Sequence, residues 1–199
     1  MTLQDHIRNT FWVSILTIIA MGSVIGIVLP LQGAIFPNLG AFAALIMPIH
    51  GIRVLCAWLY GWWSVVYLFV SNVATALFYW LIASNAPHIE FTYERLIAWA
   101  LVSVVAIISL RVVNLAGLEI TSITERIDNK TWRQLILIAV ISSVLNSLGH
   151  TFIFSGQFVA VGERNAILSY IIGDTLGTVV CFAVLIVLFR FVRLRMTTT

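Results

Sequence analysis

The stretch ILSYIIGDTLGTVVCFAVLIVLF, Ile167 to Phe189, decides the class of this fold. Its 23 residues carry a single charged side chain, Asp174. A helix needs about 20 predominantly apolar residues to cross about 30 Å of hydrocarbon, so this run is long enough to span. The rest of the chain reads the same way. It has 199 residues, 61% of them hydrophobic and 10% charged, with a mean hydropathy of +1.04. A soluble domain is about 25% charged and has no means of hiding so much apolar surface at this size. A secreted domain, a cytosolic enzyme and a disordered chain are excluded. The composition predicts an all-α integral membrane protein.

Working outward, the hydropathy pattern predicts a six-transmembrane-helix bundle with spans at about 11–29, 40–59, 61–83, 96–118, 135–154 and 167–189, forming one transmembrane domain over 1–199. The first run, Phe11 to Leu29, exceeds the apolar core of about 7–15 residues found in signal peptides. Pro30 to Leu39 holds Pro30, Gly33, Pro37 and Asn38, which is turn chemistry. The second segment contains Pro48, His50, Gly51 and Arg53. It reads either as a kinked span or as a re-entrant half-helix over Gly40 to Ile49, tolerated where protein or a cavity covers the freed backbone.

The net charge of +3 comes from residues at helix ends and in short loops. They therefore read as topology signals rather than as a nucleic-acid surface. With both termini in the cytoplasm, seven of the eleven Lys and Arg residues lie inside, Arg95 and Arg164 lie outside, and Arg53 and Arg111 sit within spans. The loop acids Glu90, Glu94, Glu119, Glu125, Asp128 and Glu163 read as solvated, and Cys56 and Cys181 as small packing residues.

A charge inside hydrocarbon costs about 2.5–3.5 kcal/mol on insertion scales, so each one needs a reason. Asp174 lies well inside the last span, flanked by Gly173 and Gly177, a small-xxx-small pair that lets another helix approach closely. Gly22 and Gly26 form a second such packing pair in the first span. The fifth span carries Ser142, Ser143, Asn146, Ser147 and His150 on one face, and the third adds Ser71, Asn72 and Thr75. Facing inward, these stripes make a polar cluster in the outer half of the bundle: Asn72, Asn146, His150 and Asp174. It reads as a small-ligand, ion or proton site, or as interhelical hydrogen-bond glue. Arg53 lies in the cytoplasmic half beside the Pro48/Gly51 irregularity, either lining the cavity or snorkelling.

Several chemistries have no residues to support them. The only lysine, Lys130, lies in a loop, which excludes a Schiff base within the membrane. The four histidines have no metal-ligand spacing. Phosphate-binding, metalloprotease and serine-hydrolase motifs are absent. The expectation is a non-enzyme without metal or cofactor.

Two stretches resemble the MASE-type membrane-associated sensor domains of bacterial signalling proteins. One is Ile35 to Leu45, IFPNLGAFAAL, followed by Gly51-Ile52-Arg53 and Trp58-Leu59-Tyr60-Gly61. It is similar to that family's aromatic-Pro-x-x-Gly segment, Gly-x-Arg turn and second glycine. The other is Gly173-Asp174-Thr175-Leu176-Gly177, similar to the family's Gly-Asp-x-x-Gly in its last helix. The family's following proline is absent from Val180 to Leu185, and its output domain does not follow here. The resemblance implies a stand-alone, multi-pass sensor-like domain of the bacterial cytoplasmic (inner) membrane, with both termini cytoplasmic, passing its signal to a partner protein.

The expected activity is binding of a small-molecule ligand by Asp174, His150, Asn146, Asn72 and Arg53. Asp174 would supply charge complementarity, His150 a pH-sensitive hydrogen bond and the asparagines orientation. Expected partners are the lipid bilayer and a partner membrane or cytoplasmic protein, with no nucleic acid. Two alternatives fit the same architecture. One is the substrate-binding component of an energy-coupling-factor vitamin transporter, to which the chain is similar in helix number and termini. The other is an accessory structural subunit of a larger membrane complex.

Overall fold

The structure is a computed structural model, and it describes residues 1–35, 44–82, 92–118, 120, 129–154 and 163–196. Among the described residues the regular elements are all helical. Helix α1 runs Leu3–Ile35, α2 Pro48–Tyr60, α3 Trp63–Ile82, α4 Tyr93–Leu115, α5 Asn129–Ile153 and α6 Glu163–Met196. The loop acids Glu90, Glu119, Glu125 and Asp128 lie outside the described residues, as does Phe36 to Ala43 of the MASE-like stretch.

Five of these helices are long and apolar enough to cross a membrane, and this corrects the expected count of six. The exception is α2, with 13 residues. At a rise of about 1.5 Å per residue it is about 20 Å long, short of the hydrocarbon thickness of about 30 Å. Pro48 sets its start. A proline has no N–H to give to the residue four before it, and its ring collides with that carbonyl, so it opens a helix instead of sitting inside one. The residue before a proline is also pushed out of the helical region, and Met47 has φ −116° and ψ 81°. Residues 44–47 are accordingly non-helical, so neither a span kinked at Pro48 nor a half-helix reaching Ile49 is what forms.

The first span also differs from its expected form. Pro30 does not end α1, which continues to Ile35. The reason lies one turn earlier, in a π-helical turn over Val24–Val28 where the Leu29 N–H bonds to the Val24 carbonyl. The wider turn accommodates the ring that a regular helix would reject.

Contacts between helices give their directions. His6 packs on Trp63 and Tyr67, and Tyr79 Oη donates to the Ile18 carbonyl at 2.9 Å, so α1 and α3 are parallel. Asn72 meets Ser103 while Arg111 lies over Trp62, and Ser143 meets Ile171 while Ser147 meets Ile167, which makes α4 antiparallel to α3 and α6 antiparallel to α5. The chain between Ile35 and Trp63 therefore returns through the bundle, by way of 44–47 and α2. Helix α2 packs on each of the other five, with α1, α3, α4, α5 and α6 forming an arc around it. Around its C-terminal half, towards the ends that carry Arg111 and Trp132, lies a dry core in which Ala57, Ile107, Leu135, Ile138 and Ala139 have no exposed surface.

Candidate functional site

The glycine pair of α6 does not receive a helix. Added Cβ atoms at Gly173 and Gly177 would overlap the backbone of Ala44 and Met47. The unwound segment before α2 lies in that groove, and the Met47 N–H donates to the Gly173 carbonyl at 3.0 Å. Gln32 of α1 secures the other side, its Oε1 accepting from Leu45 N–H at 2.9 Å. Irregular backbone at membrane depth must be covered or must line a cavity, and here both apply. Gly51 continues the same contact, lying so close to α6 that an added Cβ would sit 2.6 Å from Cys181 Cβ. Gly22 packs against Tyr79, whose hydroxyl would be 2.8 Å from an added Cβ. An added Cβ at Gly26 would have nothing within 4 Å among the described residues.

Above α2 a cavity of about 490 Å³ opens between the helices. Arg53, Asn72, Asn146, His150 and Asp174, from four different helices, all line it. Asp174 is 3% exposed. Its Oδ2 accepts from Asn146 Nδ2 at 2.8 Å and lies 3.4 Å from His50 Nδ1. Asn72 donates to Ser103 Oγ at 3.3 Å. His150 is stacked against both Phe154 and Tyr170, with centroids 5.7 Å away in each case.

Arg53 reaches this cavity although it sits lower on α2. Side chains on a helix tilt toward its N-terminus, and the N-terminus of α2 is the end nearest the cavity. Its Nε is buried with no hydrogen-bond partner, as is Asn146 Oδ1. Among the described residues, the ion pairs within 4.0 Å are Arg8 with Asp5 and His50 with Asp174, so Arg53 and Asp174 face one space without touching.

The serines of α5 divide into two groups. Ser143 and Ser147 donate to the carbonyls of Ile171 and Ile167 on α6, at 3.2 and 3.4 Å, and serve as interhelical glue. Ser142 lies 2.8 Å from His50 Nε2, which is also 3.1 Å from the Ala139 carbonyl. A carbonyl only accepts, so this geometry puts a proton on Nε2 and turns Nδ1 toward Asp174. Asp174 thus takes its hydrogen bond from Asn146, while the unprotonated Nδ1 of neutral His50 lies beside it without donating.

Sequence reasoning missed His50 as a member of the cluster. The signal was present: His50 and Arg53 are three residues apart on an apolar helix that starts at Pro48. It also missed the aromatic wall of Tyr79, Trp99, Phe154 and Tyr170. Two of these lie one helical turn from an identified residue, Phe154 after His150 and Tyr170 before Asp174.

Among the described residues there is no cluster of three or more His, Cys, Asp or Glu able to hold a metal ion. Both cysteines are free thiols. Comparison with family models, with curated proteins and with solved structures gives no match.

Proposed function

We propose that this chain is a sensor-like membrane protein that holds a small ligand in the cavity above α2 and acts through a partner protein. On this reading it is a binding protein and not an enzyme, and its resemblance to MASE-type domains reflects a shared role. The excess of basic residues near the chain ends and in Glu119 to Arg133 supports placing both termini in the cytoplasm of a bacterial cell.

One observation carries the reading: five polar side chains from four helices converge on one cavity, yet Arg53 Nε and Asn146 Oδ1 are left unpaired there. Hydrogen-bond glue would satisfy these atoms with one another, because an unpaired buried polar group costs about 1–3 kcal/mol. A ligand supplies the missing partners. The volume also lies within the range of about 300–1,000 Å³ usual for small-molecule sites.

Native mass spectrometry of the protein in lipid nanodiscs tests this. The wild type should carry a non-covalent adduct, and Ala76→Trp, which fills the cavity from α3, should lose it while remaining folded. A wild type without an adduct, together with an Asp174→Ala variant of unchanged thermal midpoint and unchanged co-purifying proteins, would sink the proposal.

A further inference from the structure

The charges around the cavity set the class of ligand. Among the described residues that line the cavity, Arg53 and Arg95 carry guanidinium groups and Asp174 alone carries a carboxylate. That carboxylate already accepts a hydrogen bond from the protein side, from Asn146. The two arginines are not matched in the same way. Arg53 Nε has no acceptor, and no carboxylate among the described residues lies within 4.0 Å of Arg95. A buried guanidinium is a fixed set of donors suited to a planar carboxylate or a phosphate. Leaving one of its donors, Nε, unsatisfied in a low-dielectric space is costly, and an anion would satisfy it.

The remaining wall is apolar and aromatic. Tyr79 and Trp99 line it on one side, Phe154 and Tyr170 flank His150 on the other, and Met21 and Val24 of α1 close it. Aromatic faces stack on planar or apolar groups and give them a large contact area. A small hydrophilic anion would leave this wall unused. A cation would meet two like charges.

We infer that the cavity binds an organic anion, with one acidic oxygen group held by Arg53 and Arg95 and an apolar or aromatic body against the Tyr79, Trp99 and Tyr170 wall. This rests on the proposed ligand-binding function and specifies its chemistry. Such an anion has two sources, a soluble aromatic acid or a fatty acid drawn from the bilayer, and both share the same carboxylate recognition.

Isothermal titration of the full chain in nanodiscs, with empty nanodiscs as the blank, separates the outcomes. The probes are 2-naphthoate, 2-naphthylmethanol and 2-naphthylmethylammonium. Naphthoate should bind at least tenfold more tightly than either of the others. Arg53→Gln and Arg95→Gln should each erase most of that preference, whereas Asp174→Asn, which removes a like charge, should strengthen naphthoate binding. Competition by oleate would assign the source to the bilayer, and its failure to compete would assign a soluble acid.

Tighter binding of the ammonium, or naphthoate affinity unchanged in both arginine variants, overturns the inference. If that binding is still abolished by Ala76→Trp, the cavity remains a ligand site and only the charge class is wrong. Absence of binding by all three probes also overturns the anion inference, and the adduct experiment then decides separately whether the cavity holds any ligand.

Discussion

The two halves of this bundle are built from the same helices by different rules. Around the C-terminal half of α2, Ala57, Ile107, Leu135, Ile138 and Ala139 are fully buried against one another. At its other end the same helices turn Asn72, Asn146, His150 and Asp174 toward an open space, with unwound backbone at its edge. In the first half the side chains meet one another. In the second they leave a cavity of about 490 Å³. The contrast teaches that stability and ligand chemistry are separable along the helix axes, with α2 as the divider.

That separation can be broken or sharpened by substitution. The largest effect is expected from Gly173→Val. Its side chain would overlap the Ala44 carbonyl, and such overpacking against backbone should cost about 3 kcal/mol. Unfolding measured by steric trapping in bicelles should show it, together with loss of any bound ligand. Equal stability of this variant and the wild type would mean that the two halves are not joined through this groove.

Ile138→Ala comes next. Helices in lipid associate without a hydrophobic driving force, so the loss is mainly one of packing, about 2 kcal/mol at the low end of large-to-small core substitutions. Ligand affinity should change less than twofold. A parallel loss of both would show that the dry half also shapes the cavity.

His50→Phe sharpens the comparison further, because His50 joins the halves, touching Ala139 and Ser142 on one side and Asp174 on the other. Removing these contacts should cost about 1–2 kcal/mol of stability, with a smaller effect on naphthoate binding than that of either arginine variant. The smallest effect should be that of Gly26→Ala, whose Cβ meets no neighbouring atom among the described residues. It should stabilise by up to about 1 kcal/mol, from the glycine penalty in a helix, and leave binding unchanged.

Much of this architecture was legible in the sequence because apolar length and helical periodicity are local properties. The spans beginning near Phe11, Gly61, Leu96, Leu135 and Ile167 correspond to long helices. The face shared by Ser142, Asn146 and His150 does turn inward. What the sequence did not reveal depends on tertiary partners. Nothing local says that Pro30 is absorbed by a π-helical turn while Pro48 starts a new helix. Likewise a small-xxx-small pair announces close approach without saying of what, and at Gly173 and Gly177 the neighbour is bare backbone. His50 escaped notice because its partners, Ala139, Ser142 and Asp174, are 89, 92 and 124 positions away in the chain.

The bond from Met47 N–H to the Gly173 carbonyl joins two stretches by main-chain atoms alone. Such a joint is blind to the side chains of the residue that donates to it, and unforgiving toward any bulk on the residue that accepts. Substitution tolerance should therefore be lopsided, with Met47 free to drift among apolar types while Gly173 and Gly177 admit almost no replacement.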